Sequence, residues 1–461
     1  MSEGMILERI YVRGVLDAAS PLVVGCGEDR QTDIDLIRDA AGLPFIPATS
    51  FAGSSRHFLE SLLAEPDRQV VDTVFGKREK ESIQSAVLFC DALPVQDSPP
   101  TVSVRDGIRL EYETKTVGTH RHGERARGGA KYDYQVVDTG ARFAFRLEAV
   151  IRDSLVEVVG QDRAYDLIYR LLTALEQGQI RVGAKTRRGL GKIRLRDVHI
   201  LHLDMNDPQH VKRWLDFDWN FDAPAPVSHF EKKKLKLDAG GETKVSAEFR
   251  IPYSLLIRHY STDPKAPDTA HLMCRGQAVI PGTSWNGALL HCIYHQLAEL
   301  GFESKFLPIK EDLFGTETGR TPRASRVTVD ESVIDGCESL AYTRNKVDRF
   351  TGGVVDSALF DEQPVFGGRV RLHLTVKKPQ RPVAGLSIDR MVEGEVGLLI
   401  LALKDIGCGI QPVGGDANIG RGILKGDTIE INGNPLTAEA EQAYLRALYT
   451  RLTGEEGENN G

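Results

Sequence analysis

Apolar and polar positions change period along this chain, and the changes come twice in the same order. Ile6 to Leu16 is an apolar-rich run of strand character, and Phe51, Phe58, Leu59, Leu62 and Leu63 then keep helical spacing, with Thr49 or Ser50 placed to cap the helix. Phe143 to Val150 alternates as a strand, Ala164 to Gln177 reads as a second helix, and Lys192 to Val198 as a closing strand. In the C-terminal half Trp285, Leu289, Ile293, Leu297 and Leu300 share one helix face behind Thr283 or Ser284 as cap. Val370 to Val376 alternates there, and Met391 to Lys404 is helical. Short strands at Ala86–Cys90 and Ser325–Val329, and the pairs Phe75-Gly76 and Phe314-Gly315, fall at matching places. Each half therefore predicts an α+β fold of order β-α-β-β-α-β, the ferredoxin-like (RRM-like) arrangement, in which helices cover one face of an antiparallel sheet.

Two motifs make the duplication explicit. Ile46-Pro47-Ala48-Thr49-Ser50-Phe51-Ala52-Gly53 returns as Ile280-Pro281-Gly282-Thr283-Ser284-Trp285-Asn286-Gly287. The loop Val182 to Gly191 returns as Val413 to Gly422, at nearly the same offset. Internal repetition sets the domain reading before anything else. We expect a first domain over 1–205, a linker over 206–242, a second domain over 243–435, and a C-terminal helix with an acidic, disordered tail over 436–461. The linker carries Trp214, Phe217, Trp219 and Phe221, too many aromatics for a free tether, and so predicts a segment strapped onto one copy or onto a neighbouring subunit.

Composition narrows the class. With 41% hydrophobic and 27% charged residues, the 461-residue chain has the make-up of an ordinary globular protein. It holds no apolar run near membrane-spanning length and no basic-then-apolar leader, so a cytoplasmic protein without a membrane partner is expected. Its six cysteines are scattered without a Cys-x-x-Cys pair, which argues against a zinc ribbon and fits a reducing compartment. A net charge of −7 does not advertise a nucleic-acid binder, but local clusters do. Arg181 to Arg196 gathers Arg181, Lys185, Arg187, Arg188, Lys192, Arg194 and Arg196 around Gly183, Gly189 and Gly191. Such a loop can turn amides and guanidinium groups toward phosphates, or it can be a tight turn with a solvated basic face. A P-loop and a Rossmann fingerprint are both excluded, because the loop precedes a strand and lacks their spacing.

The Leu43 to Gly53 segment and the Gly183 to Gly191 loop, with their partners Ile280 to Gly287 and Gly414 to Gly422, resemble the signatures of the RAMP superfamily of CRISPR-associated proteins. In particular the chain is similar to a tandem fusion of two backbone subunits of type III effector complexes. The resemblance implies two RAMP domains, each with an inserted β-hairpin thumb, that grip CRISPR guide RNA and its complementary target RNA. It further implies antiviral defense as the setting, with other RAMP subunits, a large polymerase-like subunit and, in some complexes, a small subunit as partners. On it, Ser50, Ser54, Ser55 and Arg56 in copy one, and Ser284 and Asn286 in copy two, are expected to meet RNA, together with Lys185, Arg187, Arg188 and Arg421 of the glycine loops. The thumbs fall at Glu111–Tyr134, with Lys115, His120, Arg121, His122, Arg125 and Arg127, and at Arg344–Pro364, with Lys346, Arg349 and Phe360.

The same resemblance implies target-RNA cleavage at an aspartate just upstream of each Ile-Pro motif, aided by a transient Mg²⁺ or other divalent cation. It falls on Asp33 in copy one, with Glu28, Asp29 and Asp35 as alternatives, and on Asp268 in copy two, with Asp263 as the weaker choice. The protein is then an endoribonuclease active within an assembled complex. The competing reading is a non-catalytic, structural guide-RNA-binding subunit. A guide-processing nuclease would need a histidine acid–base site, for which His57 alone is near. His291 and His295 have zinc-compatible spacing, yet their helix predicts buried, hydrogen-bonded histidines.

Overall fold

The computed structural model describes residues 4–25, 32–63, 67–77, 84–108, 110–115, 131–222, 241–260, 266–316, 323–379 and 386–454. These fall into two compact units, the first of residues 1–103, 135–186 and 190–240, the second of 104–134, 187–189 and 241–461.

In the first copy the order is β1 (Ile6–Ala18), α1 (Ala48–Leu62), α2 (Asp67–Phe75), β2 (Val87–Phe89), β3 (Val102–Ile108), β4 (Lys131–Val137), β5 (Arg142–Arg152), α3 (Asp153–Val159), α4 (Gln161–Gln177), β6 (Ile193–Asp204) and α5 (Pro208–Leu215). The main sheet runs β2-β5-β1-β6 with every pairing antiparallel. Spatial order fourth-first-third-second is what the ferredoxin-like arrangement requires. Alternation explains the core: Ile10, Val12 and Leu16 of β1 and Phe143, Phe145 and Leu147 of β5 point inward against Phe51 and Leu59 of α1 and Leu171 and Leu175 of α4.

The second copy repeats this plan: β7 (Glu242–Arg250), β8 (Thr269–His271), β9 (Gln277–Ile280), α6 (Gly282–Glu299), α7 (Glu303–Leu313), β10 (Val327–Val329), β11 (Ser332–Asp335), β12 (Tyr342–Val347), β13 (Val354–Gln363), β14 (Arg369–Lys377), α8 (Ile388–Gly407), β15 (Lys425–Ile431) and α9 (Ala438–Thr453). Strands β10, β14, β7 and β15 reproduce the order of the first sheet, and β11 and β9 extend it. Val245, Ala247 and Phe249 face Trp285, Leu289 and Ile293 in its core. The added helix α9 lies against α8, where Gly397 leaves room for it: a Cβ there would stand 2.4 Å from the Tyr444 carbonyl oxygen. Glu395 of α8, with no exposed surface, is held by Arg326 and Arg451. The chain after residue 454 lies outside the described residues.

Two expectations change at the helix starts. Helices α1 and α6 begin at Ala48 and Gly282 with Pro47 and Pro281 as extended N-caps, and neither has a side-chain cap. Thr49, Ser50, Thr283 and Ser284 therefore lie inside the first turn. The reason is that proline's fixed φ already sets the entry angle, and the Ala48 amide donates to Asp91 Oδ1 at 2.7 Å. Phe75-Gly76 and Phe314-Gly315 close α2 and α7, with both glycines at positive φ.

Residues 206–222 of the linker strap the first copy, and residues 223–240 lie outside the described residues. Asp207 caps α5 by accepting from the Gln209 amide at 2.8 Å. Trp214, Phe217, Trp219 and Phe221 then pack on Tyr11, Leu201 and Leu203, on the sheet face opposite the helices. Phe217 stacks on Tyr11 at 4.0 Å, and the guanidinium groups of Arg9, Arg13 and Arg146 lie over Trp214, Phe221 and Trp219. On the second sheet the same face carries Lys244, Ser246, Glu248, Arg371, His373 and Thr375 instead.

Candidate RNA interface

In each copy a short extended segment carries the glycine loop on one side and the aspartate on the other. In the first unit it is Val23-Val24: the Ala184 amide donates to the Val23 carbonyl at 2.7 Å, and the Ile37 amide to the Val24 carbonyl at 2.9 Å. In the second it is Leu256-Ile257, where the Gly415 and Leu272 amides do the same at 2.8 and 2.9 Å. Leu272 is thus the counterpart of Ile37. Asp268 stands four residues before Leu272 as Asp33 stands four before Ile37, so the backbone ladder aligns the two aspartates.

Both aspartates are exposed. The alternative Asp35 is buried and accepts from the Thr32 hydroxyl at 2.6 Å and the Thr32 amide at 3.2 Å, so it shapes the loop. Asp268 Oδ2 accepts the Asp361 amide at 2.9 Å and ties the loop to β13. Glu28, Asp29 and Asp263 lie outside the described residues.

The glycine loops owe their glycines to packing. A Cβ at Gly183 would stand 2.0 Å from the Val23 carbonyl oxygen and one at Gly191 2.1 Å from that of Val182; Gly422 repeats this at 2.0 Å from Val413. Several amides expected to face a polyanion serve the fold: Gly191 donates to Pro21 and Gly422 to Ser254. Lys185 and Asp416 occupy matching left-handed positions, φ 55° and 60°. Arg187 and Arg188 are half-buried, and Arg187 Nη1 donates to Thr328 Oγ1 at 3.2 Å within the second unit.

Several expected RNA contacts are corrected. Ser55 has no exposed surface and points into the core from α1, because it falls on the same helix face as Phe51 and Leu59. Arg56 is spent inside the protein: it pairs with Glu60 at 2.8 Å and with Asp72, and donates to the Gly76 carbonyl at 2.9 Å. These bonds, led by Glu60, raise its pKa. Asn286 is buried on α6. Arg421, 1% exposed, bonds Glu362 at 2.6 Å, Asp416 at 3.2 Å and the Tyr342 hydroxyl. It is a core residue of its loop. Lys115 is half-buried in the second unit, and burial lowers its pKa. Arg121, Arg125, Arg127, His120 and His122 lie outside the described residues.

Ser50, Ser54 and Ser284 are half-buried in the opening turns of α1 and α6. Beside them Gly53 and Gly287 are exposed, and a Cβ at either would meet nothing within 4 Å. Glycine inside a helix costs about 1 kcal/mol relative to alanine, and no internal neighbour requires it at these two places. In the second copy the expected thumb is a hairpin of β12 and β13, its turn held by Asp348, with Phe350 99% exposed at the tip and Arg349 exposed beside it. His291 is half-buried with its Nδ1 on the Tyr112 carbonyl, and burial lowers its pKa; His295 is exposed, contrary to the buried pair expected. The helix turns Cys292 and Ile293 inward instead. Among the described residues no group of three metal-ligating side chains comes together.

Sequence reasoning missed the charge set around Arg421. It consists of Asp416, Glu362, Tyr342, Arg258 and Arg344, with Arg258 paired to Asp416 and Arg344 to Glu362. The available signal was the simultaneous change of Lys185 to Asp416 and Leu190 to Arg421 between the copies.

The family model described as the RAMP superfamily matches residues 15–194 and 273–425. No curated protein matches the chain.

Proposed function

We propose that the chain, which belongs to the RAMP superfamily, is a backbone subunit of a type III CRISPR effector complex that holds guide RNA and cuts complementary target RNA at Asp33 and Asp268. Family membership by itself implies a subunit of a CRISPR-associated complex of this kind. The observation that carries the finer reading is the backbone-aligned pair of exposed aspartates, each upstream of a helix whose second turn exposes an unneeded glycine. A bare glycine face lets a sugar–phosphate backbone approach the helix more closely than any side chain allows.

A lone exposed carboxylate does not build a closed metal site. It does suit Mg²⁺, which keeps several waters and takes its other ligands from phosphate oxygens. Asp33 and Asp268 would hold that ion, whose charge would offset the negative charge that develops at the scissile phosphate. The RNA supplies its own nucleophile: the 2′-oxygen bonds to phosphorus, the 5′-oxygen of the next nucleotide leaves, and a 2′,3′-cyclic phosphate remains. The chain's task is then to position, with Ser50, Ser54 and Ser284 at the helix starts, Lys185, Arg187 and Arg188 in the first loop, and the second hairpin with Arg349 and Phe350. A non-catalytic role has one observation in its favour: Asp268 already serves β13.

The test uses the assembled complex with its guide, complementary RNA and Mg²⁺. Asp33→Ala is expected to remove one discrete cut and Asp268→Ala another, with guide content unchanged. Unchanged cutting by the double variant would leave the structural, non-catalytic role standing.

A further inference from the structure

On the second sheet, three cations stand abreast on the face away from the helices. Arg369 of β14 and Lys425 of β15 are each in register with Arg250 of β7. Like charges directly opposite on neighbouring strands repel. The first sheet shows the alternative solution at the same place. There Arg142 of β5 and Arg194 of β6 flank Asp17 of β1, and Asp17 pairs with Arg196 at 2.6 Å. The second copy reverses the polarity of that pair, with Arg250 on Asp427 at 2.8 Å. Arg369 and Lys425 are thereby left facing a third cation; Arg369 has Asp335 of β11 in register on its other side, and neither cation has an ion pair among the described residues.

These side chains line a shallow cavity of about 450 Å³ whose rim adds Asp335 and the backbone of Gly336 and Gly368. Both glycines are at positive φ, and Gly336 has open space where a Cβ would be. Two unpaired cations, a third with one carboxylate partner, and bare glycine backbone suit a phosphodiester, which brings charge and acceptor oxygens together.

We propose that Arg250, Arg369 and Lys425 form a phosphate-binding row that takes the backbone of a single-stranded RNA. This rests on the RNA-binding reading above and extends it to a sheet face outside the aspartate and glycine loops. The first copy does not share the row, because Asp17 interrupts it.

The full-length chain is titrated with fluorescein-labelled single-stranded RNA across a salt series, beside two variants. Arg369→Gln/Lys425→Gln is expected to bind about tenfold more weakly, with a salt slope lower by about 1.4, the share of two phosphate contacts to a single strand. Arg250→Asp/Asp427→Arg restores the first copy's polarity without changing net charge, and is also expected to weaken binding several-fold. Unfolding midpoints matching the parent show that the fold is intact. Parental affinity and slope in both variants would overturn the row and leave the RNA reading intact. Absence of RNA binding by the parent chain would overturn both.

Discussion

At the centre of the first glycine loop stands Leu190, buried to 2% exposure; at the same place in the second loop stands Arg421, buried to 1%. The residues around them changed as a set. Lys185 in the first copy corresponds to Asp416 in the second, and Asp416 together with Glu362 neutralises the buried guanidinium. The two copies thus keep one backbone and solve the loop interior in different ways, one with an apolar side chain and one with an ion cluster. A buried charge is tolerated where its partners came with it, and a single position is the wrong unit in which to judge such an exchange.

The largest effect should come from splitting that set. Arg421→Ala removes the buried cation between Glu362 and Asp416, leaving them only the more exposed Arg344 and Arg258, and is expected to cost about 3 kcal/mol, read by urea unfolding of the intact chain. The triple exchange Glu362→Gln/Asp416→Lys/Arg421→Leu, which removes the buried charges together and installs the first loop's lysine and leucine, should recover most of the loss. If it unfolds as early as Arg421→Ala, the two loops are not alternative solutions of one frame.

A smaller contrast lies beside the aspartates. His271 is the counterpart of Leu36, and both are buried. Burial lowers the His271 pKa to about 4; the neutral ring accepts the Ile257 amide on Nδ1, with the Val279 carbonyl within reach of Nε2. Because the folded value lies below the unfolded one, the unfolded chain binds more protons between about pH 6.5 and 4. Stability is therefore fully present above pH 6.5 and falls as the pH drops through that window, by about 3 kcal/mol in all. His271→Leu should flatten that part of the pH–stability curve, measured by unfolding midpoints at a series of pH values. An unchanged curve would remove His271 as its source.

The smallest contrast concerns the sheet faces. Phe217→Ala uncovers Tyr11 on the strapped face of the first sheet and is expected to cost about 1–2 kcal/mol. Lys244→Ala on the open face of the second should stay within about 0.5 kcal/mol in the same thermal melts. Equal effects would mean that the strap does not stabilise the sheet it covers.

The repeated change of period made the fold legible in the sequence, since strands alternate and helices recur every three to four residues wherever one face is buried. That is why α4 and α8 appeared where the apolar spacing put them. The candidate site was legible only as far as chain position goes. Asp33 and Asp268 could be matched by their distance from Ile-Pro, but not separated from Asp35, which differs in facing inward. Ser55 and Arg56 looked like first-turn RNA contacts because spacing alone does not say which way a helix face turns.

The sequence by itself determined that there are two copies, that each is an α+β fold of ferredoxin-like order, and that the doubled motifs belong to the RAMP superfamily. These follow from periodicity and repetition, which are local properties of a chain. Only the tertiary structure decided that Arg421 is a core residue, that Asp268 ties its loop to β13, that residues 214–221 cover a sheet face, and that Arg250, Arg369 and Lys425 stand side by side. Each of these depends on residues far apart in sequence meeting across strands, and the register of those strands is fixed by the packing of the whole core.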